Sequence, residues 1–94
     1  MTKYILLSSL TPDGQKTLKN KPERIKEVNK EIEKYGVTLL EQYAVLGPYD
    51  FVNIVEAPNN EAVFKMSVEL SSRGTIKILS MPSMTVDELI ESLK

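Results

Sequence analysis

A phenol and a carboxylate stand side by side in this chain as Tyr49-Asp50, directly after Leu46-Gly47-Pro48. Such a pair could hold a polar ligand or pass a proton. A second polar set, Asn53 and Lys77, falls among apolar strand residues, and Glu41 and Tyr43 join it if they share that face. A few polar groups set in apolar walls is the composition of a small-molecule site. Each set also has a structural explanation. Gly47-Pro48 makes a turn, Asp50 bonds nearby backbone amides and Tyr49 packs over the hairpin end. Asn53 can serve an interface hydrogen bond, and Lys77 can lay its stem along apolar surface with its ammonium in water. Histidine and cysteine are absent. That excludes a Ser-His-Asp triad, a thiolate nucleophile, a disulfide and a metal held by imidazole or thiolate. Acid–base work falls to Asp, Glu, Lys and Tyr, and no acidic run has the spacing of a calcium loop. A Schiff-base role for Lys77 needs burial that sequence does not display. Neither a metal nor a cofactor is expected.

The chain has 94 residues, 27% of them charged, with a net charge of −1. This is the profile of one globular domain spanning residues 1–94. Only two of the twelve cations are arginines, Arg24 and Arg73, and the lysines are interleaved with glutamates. Nucleic-acid binding calls for a basic surface, so none is expected. No apolar run reaches the length of a membrane helix. The apolar start, Tyr4-Ile5-Leu6-Leu7, is cut short by Ser8-Ser9 and is too brief for a signal core. It reads as a strand, and the expected location is the cytoplasm.

The elements that must position these residues follow from pattern. Tyr4 to Leu10 is strand one. Thr11 suits a helix cap with Pro12 at the first helical position, and a short helical turn follows over Asp13 to Leu18. Pro22 opens the main helix, which runs to about Tyr35. Ile25, Val28, Ile32 and Tyr35 share one face of it, and Gly36 ends it. Strand two spans Val37 to Leu46 and strand three Phe51 to Ala57. Asn caps a second helix that runs to about Arg73, with Ala62, Val63, Met66 and Leu70 as its core stripe. Phe64 and Val68 fall on nearly the opposite side and need another cover. Gly74 precedes strand four, Thr75 to Met81, which Pro82 ends. Thr85-Val86-Asp87-Glu88 has the form of a capping box, so a last helix runs from Val86 to about Leu93.

Strand-helix-strand twice over is the ferredoxin-like motif: α+β, one four-stranded antiparallel sheet in order 4-1-3-2, both main helices on one face, plus a short C-terminal helix. Alternation then divides each strand. Ile76 and Ile78 are expected to face the helices, as are Val52 and Ile54. The back of the sheet is assigned Phe51, Asn53 and Val55 from strand three, and Lys77, Leu79 and Met81 from strand four. Tyr43 or Val45 completes an apolar patch there. At about 50 Å² lost per residue and about 25 cal/mol/Å², covering the patch yields roughly 6 kcal/mol. That is comparable with the whole stability of a small domain. The last helix is too short to cover four strands. Self-association is expected, most simply as a two-fold dimer with sheets packed back to back.

The turn stands as Gly47-Pro48-Tyr49-Asp50, and with Thr11-x-x-Gly14, Pro22-Glu23-Arg24, Glu56-Ala57-Pro58 and Gly74 it resembles the GYD domain family, named for its Gly-x-Tyr-Asp element. The resemblance spans nearly the whole chain through the order and spacing of these pieces. It implies a ferredoxin-like subunit of the dimeric α+β-barrel type and no particular activity. One departure is Met81-Pro82-Ser83-Met84, which replaces an Arg-Ala-Phe-like ending of strand four, so any pocket lined by that ending differs here.

Three functions follow as expectations. The first is a small oligomeric binding module that holds an apolar or aromatic metabolite between sheet faces. The second is a cofactor-free enzyme of the dimeric α+β-barrel type, raised by fold analogy alone. The third is a structural or regulatory oligomer that docks another protein through Phe64 and Val68. The ligand-binding candidates are Tyr43, Tyr49, Asp50, Asn53 and Lys77. The interface candidates are Phe51, Val55, Phe64, Val68, Leu79 and Met81. The expected partners are a second copy of the chain and a small molecule, with no nucleic acid and no membrane.

Overall fold

A computed structural model describes all residues, 1–94. The chain forms β1 (Thr2–Leu10), α1 (Pro12–Asn20), α2 (Arg24–Glu31) with a 3-10 turn (Ile32–Tyr35), β2 (Thr38–Ala44), β3 (Phe51–Ala57), α3 (Asn60–Ser71), β4 (Ile76–Ser83) and α4 (Val86–Ser92). The four strands make one antiparallel sheet in the order β2-β3-β1-β4, which is the expected 4-1-3-2 read from the other edge.

Local chemistry sets the element ends. The Thr11 side chain accepts from the Gly14 amide at 3.2 Å and caps α1, with Pro12 at its first position. Asn59 accepts from the Ala62 amide at 2.9 Å and caps α3. Thr85 and Glu88 exchange both bonds of a capping box at the start of α4. The main helix starts at Arg24 rather than Pro22, because Lys21 to Ile25 first form a turn, Arg24 N donating to Lys21 O at 3.1 Å. Its last turn tightens to 3-10 geometry before Gly36, whose φ of 81° reverses the chain.

Gly14 is required for a different reason. The start of α1 presses on the carbonyl of Thr75, and Thr11 N donates to that same oxygen at 3.0 Å. The Thr11 hydroxyl donates to Gly74 O at 2.7 Å. A Cβ on residue 14 would lie 2.0 Å from Thr75 O.

One layer of helices packs on one face of the sheet. Tyr4 and Leu6 from β1 and Val55 and Ala57 from β3 meet Ile32 and the α3 stripe of Ala62, Val63, Met66 and Leu70 in a single core. Two expectations are corrected here. Phe51, Asn53 and Val55 face the helices, and Val52 and Ile54 form the outer face. The register requires it: Tyr4 pairs Val55, Leu6 pairs Asn53 and Ser8 pairs Phe51, and Tyr4, Leu6 and Ser8 are buried against the helix layer. Phe51 and Val55 are therefore core residues, 9% and 0% exposed, and not interface residues on the back of the sheet. The second correction is that β4 runs through Pro82 to Ser83. Proline is tolerated there because β4 is an edge strand, where one side of the ladder carries no partner.

No helix is long and apolar enough to cross a membrane. The molecule measures 51 × 29 × 18 Å. None of the residues of α4 is buried, and Val86, Leu89, Ile90 and Leu93 are exposed.

Candidate functional site

The inner face of the sheet has a soft spot at its centre. Ser8 sits where the apolar phase of β1 calls for a large residue, flanked by Phe51 on β3 and Ile78 on β4. One pair along, Leu6 stands between Asn53 and Ser80. Small and polar side chains here cannot fill the space below α1 and α2, and no residue of α2 is buried. The result is a cavity of about 280 Å³ between the sheet and the three inner helices. Its floor is Leu6, Ser8, Phe51 and Asn53, and Val28 and Met66 wall it.

Two residues that line this cavity each carry a buried side-chain oxygen with no partner in the chain, Ser8 Oγ and Asn53 Oδ1. Ser8 is 2% exposed. Buried polar groups are nearly always bonded, so two orphans in one cavity mark it as unusual. Beside Asn53 on the neighbouring strand, Gln42 trades amide bonds with Asn29 of α2, at 2.9 and 3.2 Å.

Arg24 and Arg73 stand at the rim, and both are engaged. Arg24 bonds Glu27 at 3.0 Å and Glu31 at 2.9 Å; Arg73 bonds Glu31 at 2.6 Å and Glu69 at 3.3 Å. Arg24 thus pairs within its own helix. Glu31 joins α2 to the end of α3. The Arg73 hydrogen bond, the largest influence, holds the Glu31 carboxyl below its ordinary value against partial burial, and Arg24 adds to it. A carboxylate with a depressed folded value adds stability above the unfolded value of about 4.3. That contribution is lost as pH falls through the folded value. Glu31→Gln should therefore be less stable than wild type at pH 7, by about 1 kcal/mol or less, since exposed pairs are screened. Urea titrations from pH 7 down to about pH 2 should show the difference shrinking below the unfolded value; a difference that stays constant over that range contradicts the assignment.

The other sequence candidates lie apart from this cavity. Asp50 is bonded to the β1 backbone: its Oδ2 accepts from Leu10 N at 2.7 Å, and its own N–H donates to Ser8 O at 2.8 Å. It clamps the β2–β3 hairpin to the end of β1, across the sheet rather than within the turn. Tyr49 beside it is half-buried. Tyr43 lies on the outer face and donates to Glu41 Oε1 at 3.1 Å, a bond that raises the phenol above its ordinary value. Lys77 is also on the outer face, opposite Ser9. The expected pairing of Asn53 with Lys77 is corrected: the two residues are on opposite faces of the sheet. Tyr43 and Lys77 share a face but occupy its two edge strands and different rows, more than about 14 Å apart at three strand spacings.

The outer face is more apolar than expected. One row crosses the sheet as Tyr43, Val52, Leu7 and Leu79, and the next as Glu41, Ile54, Ile5 and Met81. Thr38, Glu56, Lys3 and Ser83 bound it at one end, and Ser9 with Lys77 at the other. Leu79 and Met81 stand on this face as expected. Phe64 and Val68 are 70% and 67% exposed on the outside of α3. Ile5, Leu7, Val52 and Ile54 were not among the sequence candidates, nor was Ser8. The signal for Ser8 is present, since it interrupts the apolar phase Tyr4, Leu6, Leu10.

The Gly47-Pro48-Tyr49-Asp50 hairpin on this two-layer frame defines a class: the chain belongs to the GYD domain family, matched over residues 4–93. A protein of Thermus thermophilus described as "Glutamine synthetase and cystathionine beta-lyase binding protein" is 50% identical over 95 residues, covering all of both chains. Two crystal structures share the fold. MtbAldR superposes with a TM-score of 0.67 at 14% identity, over 89% of this chain and 52% of that one. This chain thus spans about half the length of MtbAldR. TTHA0845, also from Thermus thermophilus, superposes with a TM-score of 0.57 at 19% identity, over 92% of this chain and 96% of that one.

Proposed function

We propose that the chain is a binding module for other proteins, assembled by pairing the outer sheet faces of two copies. The observation that carries the reading is the outer face itself, two apolar rows with polar residues at both ends, left uncovered by the chain's own helices. The exposed α4 stripe extends the surface available for that pairing. Phe64 and Val68 then remain free on α3 to meet a client protein. The name of the 50%-identical Thermus relative supports clients of the glutamine synthetase and cystathionine β-lyase type. A cytoplasmic setting goes with this reading. A metabolite held between the sheets by Asn53 and Lys77 is not retained, because those residues face opposite ways.

The direct test is calorimetry of the purified chain against glutamine synthetase and against cystathionine β-lyase of the same source. Saturable binding tighter than about 10 µM to at least one enzyme is expected, weakened at least about tenfold, or 1.4 kcal/mol, by Phe64→Glu. Phe64 is exposed, so the variant should keep its fold and its subunit count. Absence of binding to both enzymes at concentrations of about 100 µM contradicts the reading.

A further inference from the structure

We infer that the cavity between the helices and the inner face of the sheet is a binding site for a small uncharged molecule with an apolar body and one hydroxyl group. It is separate from the surfaces assigned to protein binding. Three features define the occupant.

The walls are mostly aliphatic and aromatic, Leu6, Val28, Phe51, Val55, Met66 and Ile78 among them, so the body of the ligand is apolar. The deep polar atoms specify its head. Asn53 Oδ1 is an unpartnered acceptor, and Ser8 Oγ can donate or accept. A hydroxyl answers both, donating to Asn53 while accepting from Ser8. Charge is excluded by the rim: Arg24 and Arg73 are the only charged side chains lining the cavity, and both are already paired with carboxylates. An ionised head would be buried without a counter-ion, which is strongly unfavourable. The size follows from volume. A dry cavity of about 150 Å³ takes benzene, and this one is about 280 Å³. It has room for a phenol or alcohol of about ten to twelve heavy atoms.

Ser8 also sets up a separation of stability from binding. Its hydroxyl has no partner in the chain, so removing it relieves a desolvated group rather than breaking a bond. Such unpaired groups are kept where a ligand needs them.

The test uses 4-ethylphenol and, as its isostere without the hydroxyl, ethylbenzene. With the intact chain, 4-ethylphenol should bind saturably and shift the amide resonances of Leu6, Ser8 and Asn53. Ethylbenzene should bind at least about tenfold more weakly, since a site built to bond a hydroxyl leaves its own groups unpaired without one. Ser8→Ala should melt at or above the wild-type temperature when empty and lose most of the preference for the phenol. Equal affinity for the two probes, or shifts confined to the outer sheet face, overturns the inference. So does the case in which neither probe perturbs Ser8 while bound water is detected beside its hydroxyl. Client-enzyme binding is read by a separate measurement, so either proposal can fail alone.

Discussion

Gly14→Ala is expected to cost about 3 kcal/mol or more, the upper end of what overpacking does. The new methyl carbon would sit 2.0 Å from the Thr75 carbonyl oxygen and 3.0 Å from its carbon, both backbone atoms that cannot swing aside as a side-chain tip can. Relief requires α1 to lift from the start of β4. That opens the bonds from Thr11 N to Thr75 O and from the Thr11 hydroxyl to Gly74 O. The strain adds to those losses. For a domain whose whole stability is on the order of 5–10 kcal/mol, much of it disappears. A thermal melt followed by circular dichroism should show the midpoint fall by roughly 10–20 °C. A variant melting within about 2 °C of wild type would mean that α1 does not rest on Thr75 as described.

Leu79→Glu is expected to turn the proposed pair into single subunits. Seven apolar residues stand in the two outer rows. At about 40 Å² each and about 25 cal/mol/Å², their covering yields roughly 7 kcal/mol per subunit. Association itself costs about 4–15 kcal/mol. The margin is thin even with the α4 stripe included, so a carboxylate placed at the β4 end of an apolar row, where pairing would bury it, decides the outcome. Leu79 is 46% exposed in the lone chain, so the substitution leaves the fold intact. Light scattering coupled to gel filtration should give a dimer mass for wild type and a single-chain mass for the variant, with association weakened at least about 100-fold, or roughly 2.7 kcal/mol. An unchanged mass for the variant, or a single-chain mass for wild type at about 100 µM, removes the proposed pairing.

Much of the frame is readable in the residues alone, and for identifiable reasons. Punctuation is local chemistry: Thr11-Pro12, Asn59 and the Thr85–Glu88 box act within one turn of where they stand, so the starts of α1, α3 and α4 follow directly. The alternation of strands and helices gives the topology because right-handed connections leave few options. Facing is harder. In β3 both phases are apolar, Phe51 with Val55 and Val52 with Ile54, so hydrophobicity alone does not choose between them. The deciding residues lie at the strand's end. Glu56 shares its phase with Val52 and Ile54, and Ala57 with Phe51 and Val55, so the glutamate belongs to the outer face. β2 hides its phase differently, since a register shift between Leu39 and Glu41 interrupts the alternation. The cavity is the least legible feature. It arises from what Ser8 and Asn53 fail to fill once three helices lie over them, and that is a property of the packed layers rather than of any segment.

The two outermost strands share one further property. β2 carries its register shift between Leu39 and Glu41, and β4 carries Pro82, which has no amide proton to offer. Neither rim can therefore template a neighbouring ribbon along its full length. Open-ended fibril growth is discouraged on both flanks, even though the broad oily surface beneath invites contact. A molecule made this way can stay sticky on a face without polymerising from its margins.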